Sequence, residues 1–335
     1  MLTPIEATIQ EATTLELSVV VPVYQGERTL PMLLAELTPL CAGTVSPGGC
    51  PFRIAEVILV HDGAIDGSAK VMQELAQAHP QIRNLWLARN YGQHPATLAG
   101  MASSTGDWIV TMDEDAQHDP AAIAGMLDVA LEQNCQLVYG RGRNLPPHAF
   151  WRNLSSRLAH GIASLLLGNQ DLRGFSSFRL IHGEVARSLA AYCGPGVYLD
   201  IALTWVVGRT GHCPVVLRQE CGRPSGYSFS RLLSHLWRMV LTVGTRPLRI
   251  IALLGSLSIL SALGISAWVL YAKIAHRVPI QGWTSLIIAV SLFSGMILFS
   301  LGVIAEYLAL ALTMAMGKPL YLLVSRPPEA HRPSR

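Results

Sequence analysis

The first 140 residues switch repeatedly between two spacings of apolar positions. Five short runs, LSVVVPVY (17–24), EVILV (56–60), NLWLA (84–88), WIVTM (108–112) and QLVYG (136–140), are dominated by Val, Ile, Leu and aromatic residues and read as β-strands. Several are apolar enough to be buried on both faces. Between them, RTLPMLLAELTPL, SAKVMQELAQAH, HPATLAGMASST and PAAIAGMLDVALEQ carry apolar residues at helical spacing. Strands that alternate with helices predict an α/β unit with a mostly parallel sheet, whose ligands bind beyond the carboxyl ends of the strands. CAGTVSPGGCP, between the first helix and the second strand, reads as a plain surface loop.

The pattern changes from about Phe150. FWRNLSSRLAHGIASLLLG and FSRLLSHLWRMVLTVG mix Trp, Leu and Phe with Arg and His at helical spacing, which suits helices lying in a membrane interface. Amphipathic helices packed on the sheet are the alternative. Beyond them, Ile250 to Tyr271 and Thr284 to Ala305 contain no charged residue. Each is about 22 residues long, enough to cross a hydrocarbon core. AKIAHRVPIQGW joins them, so the pair is expected to form a transmembrane hairpin with spans near 250–272 and 284–306. The expected organisation is a catalytic domain over 1–227, an interface helix over 228–249, the hairpin over 250–310 and a C-terminal tail over 311–335.

Composition agrees with a membrane protein: of 335 residues, 50% are hydrophobic and only 14% charged. Arg231, Arg238, Arg246 and Arg249 precede the first span, and Lys318, Arg326, Arg332 and Arg335 follow the second, whereas the connection holds only Lys273 and Arg277. This asymmetry places both termini in the cytoplasm. MLTPIEATIQEATTLE is polar and acidic, unlike a signal peptide. The six cysteines have no metal-ligand spacing and are expected to stay reduced. A net charge of +3 is too small to suggest a nucleic-acid partner.

The chemically useful residues fall at the predicted strand ends: Tyr24 and Glu27 after the first, Asp62 and Asp66 after the second, and Asp113, Glu114 and Asp115 after the fourth. Three adjacent carboxylates repel one another, and a cation is their natural compensation. A solvated turn, with Asp119 or Asp115 capping a helix that starts near Pro120, is the alternative. No phosphate-cradling glycine motif occurs, which disfavours dinucleotide binding and P-loop hydrolysis. Carboxylates that hold a divalent ion against a nucleotide diphosphate make that diphosphate a better leaving group, so the expected reaction is transfer of the group it carries.

VVVPVYQGERTL, VILVHDGAIDGS, RNYGQHPATLAGM, GDWIVTMDEDAQHDP and DLRGFSSFRL, in that order before the membrane hairpin and AEYLALALTMAMGKPLYLL, resemble family 2 glycosyltransferases of the polyprenyl- or dolichyl-phosphate group. The resemblance implies a Rossmann-like GT-A fold, inversion at the anomeric carbon, Mg2+ or Mn2+, a UDP- or GDP-linked sugar donor and a polyprenyl phosphate acceptor. It also implies a bacterial inner membrane location with a cytoplasmic active site, a role in cell-envelope glycans, and a homo-oligomer as a candidate assembly. By motif, Pro22, Tyr24, Glu27, Asp62 and Glu114 correspond to the nucleotide-sugar site, with Arg141 or Arg143 as its arginine. Asp113 and Asp115 match the D-x-D acids, and Asp115 and Gln117 the metal-contacting pair. Arg179 resembles an arginine near the phosphates, and Arg223 a basic residue of the loop before the membrane. The chain departs from the pattern at His61, where an acid is usual, and at Ala64 and Ile65 in place of Ser-Thr. It departs also in the spacing around Arg218 to Gly226. Two rivals remain: a polysaccharide-extending enzyme of the same fold, for which two spans are too few, and a membrane-anchored binding protein with a degenerate site.

Overall fold

The computed structural model describes residues 14–143, 175–194, 198–218 and 283–327, with isolated helical positions between 251 and 271. The two expected interface helices and Arg223 lie outside the described residues. In chain order the elements are β1 (Leu15–Val23), α1 (Leu30–Cys41), β2 (Thr44–Val45), β3 (Pro51–His61), α2 (Ser68–Ala78), β4 (Ile82–Leu87), α3 (Gln93–Ser103), β5 (Trp108–Thr111), α4 (Ala122–Glu132) and β6 (Leu137–Gly142). They continue with β7 (Arg179–His182), α5 (Gly183–Tyr192), α6 (Leu199–Val206), β8 (Thr210–Val215), α7 (Trp283–Ala315) and β9 (Leu323–Val324). These residues divide into two compact units, the second of which holds α7.

The first unit is the expected α/β layer structure. Its sheet runs β8-β6-β7-β5-β1-β3-β4-β9, with β2 paired to β3. The centre is parallel, β4 beside β3, β3 beside β1 and β1 beside β5, and β7 enters antiparallel between β5 and β6. Alternate residues of β1 serve opposite faces, as the two-residue period requires. Val19, Val21 and Val23 join Leu30, Leu33 and Leu37 of α1 and Met126 of α4 on one side. Val20 joins Ala96 and Ala99 of α3 and Ala202 and Leu203 of α6 on the other. Gly100 lets α3 approach β1 closely, since a Cβ there would come within 2.2 Å of Val20 Cγ1.

Two expectations are corrected. The plain loop CAGTVSPGGCP contains β2, paired antiparallel with the start of β3, and its Ser46 is buried and bonded to Asp128 of α4. Two paired residues are too short for a periodic signal. The C-terminal tail begins as helix and then returns as a strand: β9 pairs antiparallel with β4, and Leu322 accepts the Ala88 N–H at 2.9 Å. It thereby covers a sheet edge whose backbone groups would otherwise stay unpaired.

In the second unit, α7 is 33 residues long, and its Leu292–Ala315 segment has a mean hydropathy of 2.0 with 6% of its most apolar stretch buried. It is the one helix among the described residues long and apolar enough to cross a membrane. The described positions of the first expected span are helical, and Leu257, Leu260, Leu263 and Trp268 among them are exposed. The hairpin is thus found in part.

Candidate active site

The carboxyl ends of β1, β3 and β5 lie on one edge of the sheet because the three strands are parallel neighbours. The three acids after β5 diverge rather than share one partner. Asp113 accepts hydrogen bonds from Gln93 Nε2 at 2.5 Å and Ser177 Oγ at 2.6 Å. Glu114 accepts the backbone N–H groups of Tyr24 at 2.9 Å and Gln25 at 2.8 Å. Asp115 accepts the Gln117 N–H at 3.0 Å, closing a turn whose centre, Ala116, has a φ of 58°. A left-handed non-glycine residue costs conformational energy and recurs at functional sites. Distributing the charge over different donors relieves the repulsion expected of adjacent carboxylates. Behind the turn, His118 is buried and stacked on Phe178 at 5.0 Å, and accepts the Asp113 N–H at Nδ1. Burial pushes its pKa below the ordinary imidazole value, against the pull of Asp113 and Asp115.

The loop after β1 is held along its whole length. Besides the two bonds to Glu114, Gly26 donates its N–H to Ser68 Oγ at 2.8 Å and Glu27 donates its own to Asp66 at 3.2 Å. The Glu27 carboxylate returns the contact by accepting the Gly67 N–H at 3.1 Å. Pro22 sits in β1 just before this loop, and Tyr24 is 38% exposed. Asp62, by contrast, is 4% exposed and accepts the N–H groups of Tyr91 at 2.6 Å and Gly92 at 2.9 Å. Burial raises its pKa to about 6, although those two hydrogen bonds act in the opposite sense. Gly63 follows with a φ of 62°, and a Cβ there would lie 2.6 Å from the Asn90 N. His61 is buried and packs on Trp86, ring centres 5.3 Å apart. The departure from the usual acid is therefore filled by a core contact. Burial lowers its pKa.

Arg179 is placed differently from the expectation that its fork faces a phosphate. It opens β7 opposite Thr111 and Tyr139, is 4% exposed, and donates Nε and Nη2 to the two oxygens of Asp200 at 2.7 and 2.8 Å. Tyr139 adds its hydroxyl to Asp200 at 3.0 Å. Arg179 Nη1 donates to Thr111 Oγ1 and to the Ser177 carbonyl, at 3.2 and 3.3 Å. The Asp200 carboxylate raises the Arg179 pKa despite full burial. The fork is thus engaged within the fold, and it stabilises the Ser177 segment that orients Asp113. Gln93, Ser177, Tyr139 and Asp200 were not singled out in the sequence. No local pattern marks them, because their partners lie up to 64 residues away.

Arg141 and Arg143, at and just beyond the end of β6, are exposed on the edge shared with the acids. Arg218 reaches the acid turn as well, donating its N–H to the Gln117 carbonyl at 3.0 Å and its fork to Glu36 and Asp119. No three His, Cys, Asp or Glu side chains are grouped to hold an ion among the described residues. Asp115 with Gln117 offers a smaller oxygen set, the kind that serves an ion whose remaining ligands are waters and phosphates.

This edge of acids beside a Rossmann-like sheet coincides with a family model. Residues 18–189 match the model for glycosyl transferase family 2. The chain belongs to that family. Over 319 residues the glycosyltransferase is 28% identical to the undecaprenyl-phosphate 4-deoxy-4-formamido-L-arabinose transferase of Klebsiella pneumoniae, covering 94% of this chain and 95% of the relative. Among solved structures it is similar to a mycobacterial protein, at 17% identity and a TM-score of 0.50, over 69% of this chain and 74% of that one. It is also similar to the glucosyl-3-phosphoglycerate synthase of Mycobacterium tuberculosis solved with Mn2+ and UDP-glucose, at 17% identity and a TM-score of 0.47, covering 69% and 79% of the two chains. The enzyme is a nucleotide-sugar glycosyltransferase with a mixed α/β, GT-A-like catalytic unit.

Proposed function

We propose that the enzyme transfers a sugar, with inversion, from a UDP- or GDP-linked donor to a polyprenyl phosphate at the cytoplasmic face of a bacterial inner membrane. The observation that carries this reading is the end-to-end match to a transferase named for undecaprenyl phosphate, in a chain that also bears an exposed apolar helix of membrane-spanning length. The two-span hairpin, both termini in the cytoplasm, and use of the product in envelope glycans belong to the same proposal.

Tyr24 and Glu27 lie where the nucleoside is held, on the loop fastened by Glu114, Ser68 and Asp66. Asp115 and Gln117 are the ligands for Mg2+ or Mn2+, and Asp113 is aligned beside them by Gln93 and Ser177. A bound divalent ion would stabilise negative charge developing on the departing diphosphate. The acceptor, a phosphate monoester with a second pKa of about 6, is mostly dianionic near neutral pH. It needs orientation more than deprotonation, so no general base is assigned. Arg141, Arg143 and Arg223 are the arginines for phosphates, by charge-assisted contacts. Arg179 acts through Ser177 rather than by touching substrate.

The test is incubation of the purified full chain in nanodiscs with undecaprenyl phosphate, Mn2+ and a panel of UDP- and GDP-sugars. The expected result is a lipid-linked sugar phosphodiester, seen by mass spectrometry. Comparable turnover on a water-soluble glycan without any lipid phosphate would reject the acceptor. Accessibility tags at both termini should be reached only from the cytoplasmic side, and one near Pro279 only from the other.

A further inference from the structure

We propose that Glu114 is a positioning residue for the donor: it fastens the loop from Tyr24 to Glu27 to the acid turn, so that nucleotide affinity depends on it through the loop. The proposal rests on the nucleotide-sugar reading of this edge and assigns the middle acid a task separate from those of its neighbours. Four consecutive backbone N–H groups, of Tyr24, Gln25, Gly26 and Glu27, each donate to a side chain. Side-chain acceptors are needed where a segment turns successive donors away from ladder and helix partners. Two of the four acceptors are Ser68, the first residue of α2, and Asp66, just before that helix. The other two contacts are made by the two oxygens of Glu114, at 2.8 and 2.9 Å.

Glu114 thus joins this loop to the turn carrying Asp113 and Asp115 through both of its oxygens. Its carboxylate lies close against the loop, since a Cβ on Gly26 would come within 2.8 Å of Oε2. The bonds are charge-assisted and pull on adjacent peptide groups, so they set the orientation of the peptide that carries the Tyr24 side chain. Asp113 accepts hydrogen bonds from Gln93 and Ser177, and Asp115 accepts the Gln117 N–H. A loop without the two Glu114 bonds would sample orientations that the nucleoside cannot use, and a fractional competent population lowers apparent affinity in proportion.

The test is isothermal titration of UDP and GDP, with and without Mn2+, into the full chain in nanodiscs, for wild type, Glu114→Gln and Glu114→Ala. Whichever nucleotide the wild type binds should bind Glu114→Ala about ten- to a hundredfold more weakly. Glu114→Gln should fall between, because its amide keeps one acceptor and turns a donor toward the second N–H. The factor should be the same with and without Mn2+, and thermal midpoints should stay within a few degrees of wild type. Wild-type affinity in Glu114→Gln, where the side-chain shape is retained, would overturn the proposal. So would a loss confined to samples containing Mn2+, which would make Glu114 an ion ligand, or a loss that tracks a fall in melting temperature. A wild-type protein that binds neither nucleotide would overturn the donor reading itself and this proposal with it.

Discussion

Replacing Arg179 by Met removes a cation from inside the sheet. Among the described residues Asp200, 2% exposed, would keep the Tyr139 hydroxyl on its oxygens, while Thr111 Oγ1 and the Ser177 carbonyl each lose a donor. Removing one member of a buried ion pair costs about 3–5 kcal/mol, because the remaining charge is left without compensation in a low dielectric. For a unit of roughly 200 residues, about 2–4 °C is lost per kcal/mol, so the thermal midpoint should fall by about 6–20 °C. Arg179→Lys should lie between, since an ammonium supplies charge without the planar fork. In an Asp200→Asn background the same Met substitution should cost at least about 1 kcal/mol less, because the two residues interact directly. The assay is thermal unfolding of the full chain in detergent, followed by near-ultraviolet circular dichroism, beside acceptor turnover. A Met variant that melts with wild type yet loses turnover on polyprenyl phosphate would refute the reasoning and return the fork to the substrate.

Asp115→Asn should abolish transfer while the melting temperature stays within a few degrees, and turnover close to wild type would reject the ion assignment; Gln117→Ala should be milder, since water can replace a neutral ligand. Asp62 holds its proton in the folded chain up to about pH 6, whereas the unfolded chain releases it near 3.8, so its contribution is most favourable below pH 4 and is lost as the pH rises through 6. The stability of wild type relative to Asp62→Asn should therefore decline by up to a few kcal/mol across that window, and a difference that grows with pH would contradict the assignment. Gly100→Ala forces α3 away from Val20 and should destabilise by about 1–3 kcal/mol in the same melting assay; an unchanged midpoint would mean that the helix shifts without cost.

The central strands and the four helices between them were legible because each carries its own period, two for a strand and 3.6 for a helix. The remaining strands were not. Thr210–Val215 contains Gly211 and Pro214 and shows no clear alternation, and β2 and β9 are two residues long, so only the neighbouring edge of the sheet gives them a reason to be extended. The apolar C-terminal segment was legible from composition, whereas the return of the chain to pair with β4 was not.

For the site, residue type and strand-end position were enough to single out Asp113, Glu114, Asp115, Asp62 and Tyr24. What each carboxylate faces was decided only by the fold. Asp113 is oriented by Ser177, 64 residues on, because β7 inserts antiparallel beside β5. Glu114 reaches back 90 residues to Tyr24 because β1 and β5 are adjacent and parallel. Arg179 carries a sequence signature compatible with phosphate contact, and the packing of α6 gives it Asp200 instead. A motif specifies which functional groups the chain supplies; hydrogen bonds are short and directional, so their partners are set by strand order and register, which depend on burying the whole sheet at once.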